Sequence, residues 1–321
     1  MAKRSERQWV ERLRERFGAG AGQVQLGIGD DAAVLALSSE ARVCSVDASV
    51  QGVHFDLRYL SLEDVGYRSF QAAASDLAAM GAEPVAALSA LILPAGLSPA
   101  GIDELTLGQQ AASRECACPI VGGNLSRGTE LSLTTTVLGR AGMPLARSGA
   151  RPGDQLWLLG GVGLAAAGLA CLRLRRQGVD GGERAAIARC LQAWRRPRAL
   201  LEQGRQLVGC ASAAIDVSDG LATDARQLAR ASGVRIVLER ERLRAALGPS
   251  LLVASRVLRR SPLQLALYGG EDYALLATGP SARRPAGALA IGWVTRGQGA
   301  VLACPGYSLP LERGYDHLAR R

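Results

Sequence analysis

Acidic residues in this chain stand where surface acids rarely do. Six short segments set carboxylates, or in one case an amide, among glycines, serines and small apolar residues. They are Gly27-Ile28-Gly29-Asp30-Asp31, Ser45-Val46-Asp47, Ser75-Asp76, Gly122-Gly123-Asn124, Asp216-Val217-Ser218-Asp219-Gly220 and Gly269-Gly270-Glu271-Asp272. Most lie in or beside apolar runs such as Ala33-Val34-Leu35 rather than among arginines. A carboxylate next to a buried strand is costly unless a cation or hydrogen bonds compensate it. Any fold that gathers several of them needs a multivalent hard cation, and Mg²⁺ with phosphate is the usual reason to build such a site. The pattern predicts a magnesium-dependent, phosphate-handling enzyme.

The 321 residues suffice for two domains, and 48% apolar with 21% charged residues is the balance of a soluble globular protein. The longest apolar candidate, Pro84 to Leu97, is short and broken by Ser89 and Pro94, so no membrane association is expected. Met1 to Arg7 lead into an amphipathic stretch rather than an apolar leader, which makes the cytoplasm the expected compartment. Seven scattered cysteines show no disulfide framework, and the close pair Cys116 and Cys118 reads as buried thiols.

The net charge of +9 invites a nucleic-acid reading, but its makeup argues against one. Nearly all of it is arginine in helix-like stretches such as Arg173-Leu174-Arg175-Arg176, without interleaved aromatics. Lys3 is the only lysine. A P-loop and a protein-kinase strand lysine are therefore both excluded. With only His54 and His317, a poly-histidine metal site is excluded too. Arginine, backbone amides and metal must hold any nucleotide phosphates.

Periodicity predicts a helix over 6–17, strands around Gly29-Asp30-Asp31, a strand over 42–50, a long helix over 62–80 closed by Gly81, and a buried strand over 85–93. A helix over 102–115, a short strand at Ile120-Val121 and a β-branched strand over 131–139 follow. The turn cluster Ser148 to Asp154 is the best boundary. Beyond it come a strand over 155–159, helices over 164–176, 183–194 and 198–207, a strand over 213–217, a helix over 222–231, a strand over 235–238, a helical stretch, and strands near 273–278 and 290–294. The expected architecture is α/β in two domains, 1–145 and 146–321.

Period two puts Ser45 and Asp47 on one strand face. Asp216 ends a strand, and Ser218 or Asp219 can equally be the N-cap of the following helix. Asp216 itself then needs a separate explanation, which a shared cation supplies. Arg147 lies in the interdomain hinge, where a guanidinium can fork two phosphate oxygens. The turn Gly160-Gly161-Val162-Gly163 imitates a dinucleotide fingerprint, but a close strand–helix turn accounts for it.

In order and spacing these segments resemble the thiamine-monophosphate kinase family, within the superfamily of aminoimidazole-ribonucleotide synthetase. The resemblance rests on seven colinear motifs: Gly27 to Asp31, Val53-His54-Phe55, Ser75 to Ala82, Arg147 to Ala150, Asp216 to Leu221, Gly269 to Tyr273 and Gly314 to His317. It implies an N-terminal sheet domain that dimerises and binds ATP and Mg²⁺, and a C-terminal α+β domain that completes the site. It implies ATP-dependent phosphorylation of thiamine monophosphate to thiamine diphosphate with several Mg²⁺ ions. Asp31, Ser45, Asp47, Asp76, Asp216 and Asp219 would hold metal, Arg147 and Ser218 would touch ATP, and His54, Glu271 and Tyr315 would contact the thiamine phosphate. Asp47, Asp76 and Arg147 would be central to the transfer. The family usually has Thr at Val46, Gly-Gly-Asp-Thr at Gly122 to Leu125, and Asn-Leu before Ser75-Asp76, where this chain has Ala73-Ala74. Asn124 can still offer an oxygen to metal and nucleotide with one charge fewer, so a higher magnesium requirement is expected. A related enzyme with another acceptor and a weakened binding protein are the alternatives.

Overall fold

The computed structural model describes residues 24–26, 30–36, 41–174 and 181–312. The expected helix over 6–17 and the segment holding Tyr315 lie outside the described residues.

Each half of the chain builds one sheet. The first has six strands: β1 (Val24–Leu26), β2 (Ala33–Ala36), β3 (Ala41–Val50), β4 (Glu83–Pro94), β5 (Ile120–Gly128) and β6 (Ser132–Ala141), in the order β1-β2-β3-β6-β4-β5. Residue alternation decides its faces. On β6, Leu133, Thr135 and Val137 are buried, while Ser132, Thr134 and Thr136 are only partly so. The ladder sets Asp47 beside Thr135 and Thr135 beside Ser89, so a polar row crosses the inner face. Val46 and Ala48 point the opposite way and are exposed.

The inner face is covered by α1 (Leu62–Ala79), whose N-cap Ser61 accepts from the Asp64 N–H. Against α1 lies α2 (Pro99–Glu115), close enough for backbone contact at two glycines. A Cβ at Gly66 would sit 1.9 Å from the Leu105 carbonyl oxygen, and one at Gly108 would sit 1.9 Å from that of Glu63.

The second half contributes β7 (Gln155–Leu159), β8 (Ala213–Val217), β9 (Arg235–Glu239), β10 (Ala274–Gly279), β11 (Leu289–Thr295), β12 (Gly299–Cys304) and β13 (Tyr307–Pro310). They form one sheet in the order β13-β12-β9-β11-β7-β10-β8, with β8 at its edge. Its helices are α3 (Leu164–Leu174), α4 (Gly181–Arg195), α5 (Leu201–Leu207), α6 (Leu221–Ser232), α7 (Arg240–Ala246), α8 (Pro249–Leu258) and α9 (Pro262–Tyr268). The expected single helical stretch is thus three helices, two of which open on a proline at the first turn. The short strand expected at Ile120-Val121 runs on to Gly128, because parallel pairing with β4 supplies what its glycines lack in propensity. β12 and β13 are additions that the sequence reading did not contain.

The halves share a core. Ala78 and Ala79 of α1 pack with Leu145, Trp157, Leu207 and Leu275. Helix α1 is therefore clasped between its own sheet and the edge of the other. Among the described residues, no helix is long and apolar enough to cross a membrane.

The α1–α2 contact yields a test. Gly108→Ala should lower unfolding stability by about 1–3 kcal/mol, the cost of overpacking. Gly96→Ala, in open space, should change it by less than about 0.5 kcal/mol. Chemical denaturation of both variants checks this, and equal losses would refute the backbone-contact account.

Candidate functional site

Three remote segments deliver carboxylates to one point. Asp31 lies in the turn before β2, Asp76 on α1 and Asp216 near the end of β8. One oxygen from each lies within 4.8 Å of the others. Hydroxyls brace them. Ser45 Oγ donates to Asp76 Oδ2 at 2.5 Å, and Ser75 Oγ donates to Asp216 Oδ2 at 2.8 Å across 141 residues of sequence. Asp47, on the same face of β3 as Ser45, is near enough that its charge helps to raise the Asp76 pKa. Burial first, then Asp216 and Asp31, holds Asp76 well above the usual carboxylate range. Burial and the Asp31 charge push Asp216 up to about 7.

The cation that meets this cluster is Arg147. Its Nε and Nη2 fork the two oxygens of Asp31 at 2.7 and 2.6 Å, while Nη1 donates to Gln227 Oε1 at 2.8 Å. The fork expected for phosphate thus grips a carboxylate here. Asp30 stands behind it, accepting from the backbone N–H groups of Asp31 and Arg147.

Neither Ser218 nor Asp219 caps α6. That helix begins after Gly220 with no side-chain cap, and Ser218 Oγ leans toward Asp216 Oδ1 at 3.4 Å. Asp224, 1% exposed in the first turn of α6, accepts from the Asp219 N–H at 3.2 Å. Burial, then the Asp219 and Asp216 charges, raises its pKa well above the ordinary value. Sequence reasoning missed Asp224, although its spacing from Asp219 was a signal. It also missed Thr135, whose buried hydroxyl beside Asp47 has no hydrogen-bond partner.

The cluster opens into a cleft of about 780 Å³, within the range of small-molecule sites. Asp47, Asp76, Asp216, Ser218, Asp219, His54 and Glu271 all line it. The Val50 N–H donates to His54 Nδ1 at 3.1 Å, which assigns the proton of the neutral ring to Nε2. Glu271 is paired with Arg68 and accepts from the Trp194 indole. Its neighbour Asp272 accepts from the backbone N–H groups of Gly163 and Ala165, so the glycine turn before α3 is held by a carboxylate. The turn reading holds there. Burial pushes Asp272 up to about 7.

One expected residue is not brought in. Asn124 is exposed on β5, donates to Ser126 Oγ at 2.9 Å, and lines a separate groove with Gln109 and Ser89. In register it follows Ala90, Thr134 and Ala48, on the face opposite Ser45 and Asp47 and three strands away. Strand alternation, which no local motif reveals, keeps it from the cluster within one chain. Tyr315 lies outside the described residues.

Comparison with known proteins points one way. Residues 29–141 match AIR synthase related protein, N-terminal domain, and residues 151–303 match the C-terminal domain of the same family. The chain is 34% identical to thiamine-monophosphate kinase of Escherichia coli (strain K12), with 97% of each chain covered. It is also 34% identical to that of Aquifex aeolicus (strain VF5), over 80% of this chain and 81% of the relative. A solved structure, AaThiL complexed with AMPPCP and TMP, matches with a TM-score of 0.89 and 29% identity over 99% of both chains.

The raised carboxyl pKa values set a pH dependence. In the unfolded chain these groups titrate near 3.8, whereas Asp216 titrates near 7 and Asp76 and Asp224 also lie well above. Between about pH 4 and 7 the native state binds more protons than the unfolded one, so stability falls as pH rises. In EDTA the melting temperature should drop from pH 5 to 8, and Asp216→Asn should flatten the drop. A melting temperature that climbs over this range would contradict the assignment.

Proposed function

The chain belongs to the AIR synthase related family and, within it, to the thiamine-monophosphate kinases, and on that premise we propose that it transfers the γ-phosphoryl group of ATP to the phosphate of thiamine monophosphate. The observation that carries this reading is the convergence of Asp31, Asp76 and Asp216, the last two of which line a cleft of about 780 Å³.

The donor set suits Mg²⁺. Carboxylates and hydroxyls are hard oxygen ligands, neither histidine nor cysteine is among them, and burial with the neighbouring negative charges raises the pKa of Asp76 and Asp216. Asp31, Ser45, Asp47, Asp76, Asp216 and Asp219 would hold the ions. When bound, they would neutralise phosphate charge and favour in-line transfer between two anions. Arg147 would exchange Asp31 for phosphate oxygens, since the same fork geometry serves either partner. Ser218 would meet the nucleotide. His54 and Glu271 would orient the acceptor, with Tyr315 joining them. The acceptor phosphate is already an anion, so no residue need act as a general base.

The two halves would divide the work at about residue 145, the first binding ATP and metal and the second closing the site. The outer face of the first sheet supports a homodimer, since Val46, Leu88 and Ile92 are exposed on it together, at 62%, 40% and 40%. In that arrangement Asn124 belongs to the pairing face.

Incubation with ATP, MgCl₂ and thiamine monophosphate should yield thiamine diphosphate and ADP in equal amounts, followed by chromatography. Asp47→Ala should lower turnover at least roughly a hundredfold, because several kcal/mol of metal-borne stabilisation would go with it. Its circular dichroism should be unchanged. Undiminished turnover in that variant would remove the carboxylates from the mechanism. Folded, ATP-binding protein that makes no diphosphate would point to a different acceptor.

A further inference from the structure

Arg68 occupies an unusual place for a cation. It sits in the middle of α1, 5% exposed, between Tyr67 and Phe70, which are themselves buried. Its Nη2 meets Glu271 Oε1 at 2.6 Å and its Nη1 donates to the Trp194 carbonyl oxygen at 2.6 Å. The guanidinium also lies over the Trp194 ring, 5.1 Å from the centroid. The Trp194 indole Nε1–H donates in turn to Glu271 Oε2 at 3.1 Å. Helices α1 and α4 thereby grip one oxygen each of a single carboxylate.

The backbone beneath that carboxylate is constrained as well. Glu271 has φ +61° and Tyr273 φ +50°, left-handed conformations that cost a non-glycine residue about 1 kcal/mol or more. Their N–H groups donate to the carbonyl oxygens of Ser218 and Val217, the segment that carries Asp216. The Glu271 side chain nevertheless keeps 32% of its surface exposed, and the residue lines the cleft.

Helix geometry links this grip to the carboxylate cluster. Arg68, Ala72 and Asp76 follow one another at four-residue intervals and share a face of α1, and both Ala72 and Asp76 line the cleft. Eight residues of helix separate the two charged groups by about 12 Å along a rigid rod.

We propose that Arg68 and Trp194 are positioning residues that fix the Glu271 carboxylate in the cleft, where it receives the cationic ring portion of the phosphorylated acceptor at a set distance from Asp76. This rests on the kinase reading and deepens it. A phosphate ester with a positively charged aromatic ring matches the two ends of the cleft: oxygen ligands for its phosphate and an oriented carboxylate beside an indole for its cation. An acceptor without the cation would lose the second contact.

The test uses the full chain, three single variants and one double variant. Trp194→Phe keeps a ring beneath the guanidinium and removes only the N–H donor. Arg68→Lys keeps the charge but cannot reach both partners, and Glu271→Gln removes the carboxylate. Trp194→Phe and Arg68→Lys should each raise the KM for thiamine monophosphate about fivefold to tenfold, a loss on the scale of one ordinary hydrogen bond. The KM for ATP should stay within about twofold. In the Glu271→Gln background, Arg68→Lys should add no further rise, because the two act as one unit. An unchanged KM for thiamine monophosphate would overturn the proposal. So would a parallel rise of both KM values with a fall in melting temperature, which marks a merely structural tie, and so would fully additive effects. Wild-type protein inert toward thiamine monophosphate would overturn it together with the kinase reading, whereas active wild type with unaffected variants would overturn it alone.

Discussion

Carboxylates repel, and the structure is organised around holding them together regardless. Oxygens of Asp31, Asp76 and Asp216 lie within 4.8 Å of one another in a largely desolvated place. In such surroundings like charges interact far more strongly than in water. The fold answers with several small compensations: the Arg147 fork on Asp31, the Ser45 hydroxyl on Asp76, and the Ser75 hydroxyl on Asp216. Protonation is the remaining outlet, and the raised positions of Asp76 and Asp216 show that the compensation is incomplete. A site left short of positive charge in this way suits binding of cations, at a cost in stability.

Helix α1 makes that arrangement geometrically feasible. It is buried along nearly its whole length, against α2 through Gly66 and Gly108 and against the second half through Ala78 and Ala79. A helix so enclosed cannot rotate or slide without clashing, since interiors are packed to near crystal density. Ser75, Asp76, Ala72 and Arg68 therefore take fixed places relative to both sheets. The strained turn at Glu271 is tied to the same frame through Arg68 and through the end of β8.

Much of this was legible in the chain. Strands over 155–159 and 213–217 and the long helix from Leu62 follow from apolar periodicity, a local property that survives without tertiary information. Gly-Pro and Ser-Pro before Pro249 and Pro262 were signals for the extra helix boundaries that a reading by periodicity passed over. β12 and β13 were not legible. Their sequences, Gly299 to Cys304 and Tyr307 to Pro310, are short, and ladder pairing of β12 with β9 and of β13 with β12 makes them strands. Asp224 and Asp272 were visible as acids but not as buried ones, because burial depends on what packs over a residue.

The sequence alone determined which residue types carry the chemistry, since a carboxylate or arginine set among glycines and apolar side chains is costly wherever it ends up. It also determined that Ser45 and Asp47 share a face, because period two is a property of the strand itself. Only the tertiary structure decided which of these groups meet. Ser75 reaches Asp216 across 141 residues and Arg68 reaches Trp194 across 126, separations closed by packing α1 between two sheets. The same ladder that brings Asp47 inward turns Asn124 outward, because register, and not motif, sets the direction of a strand side chain.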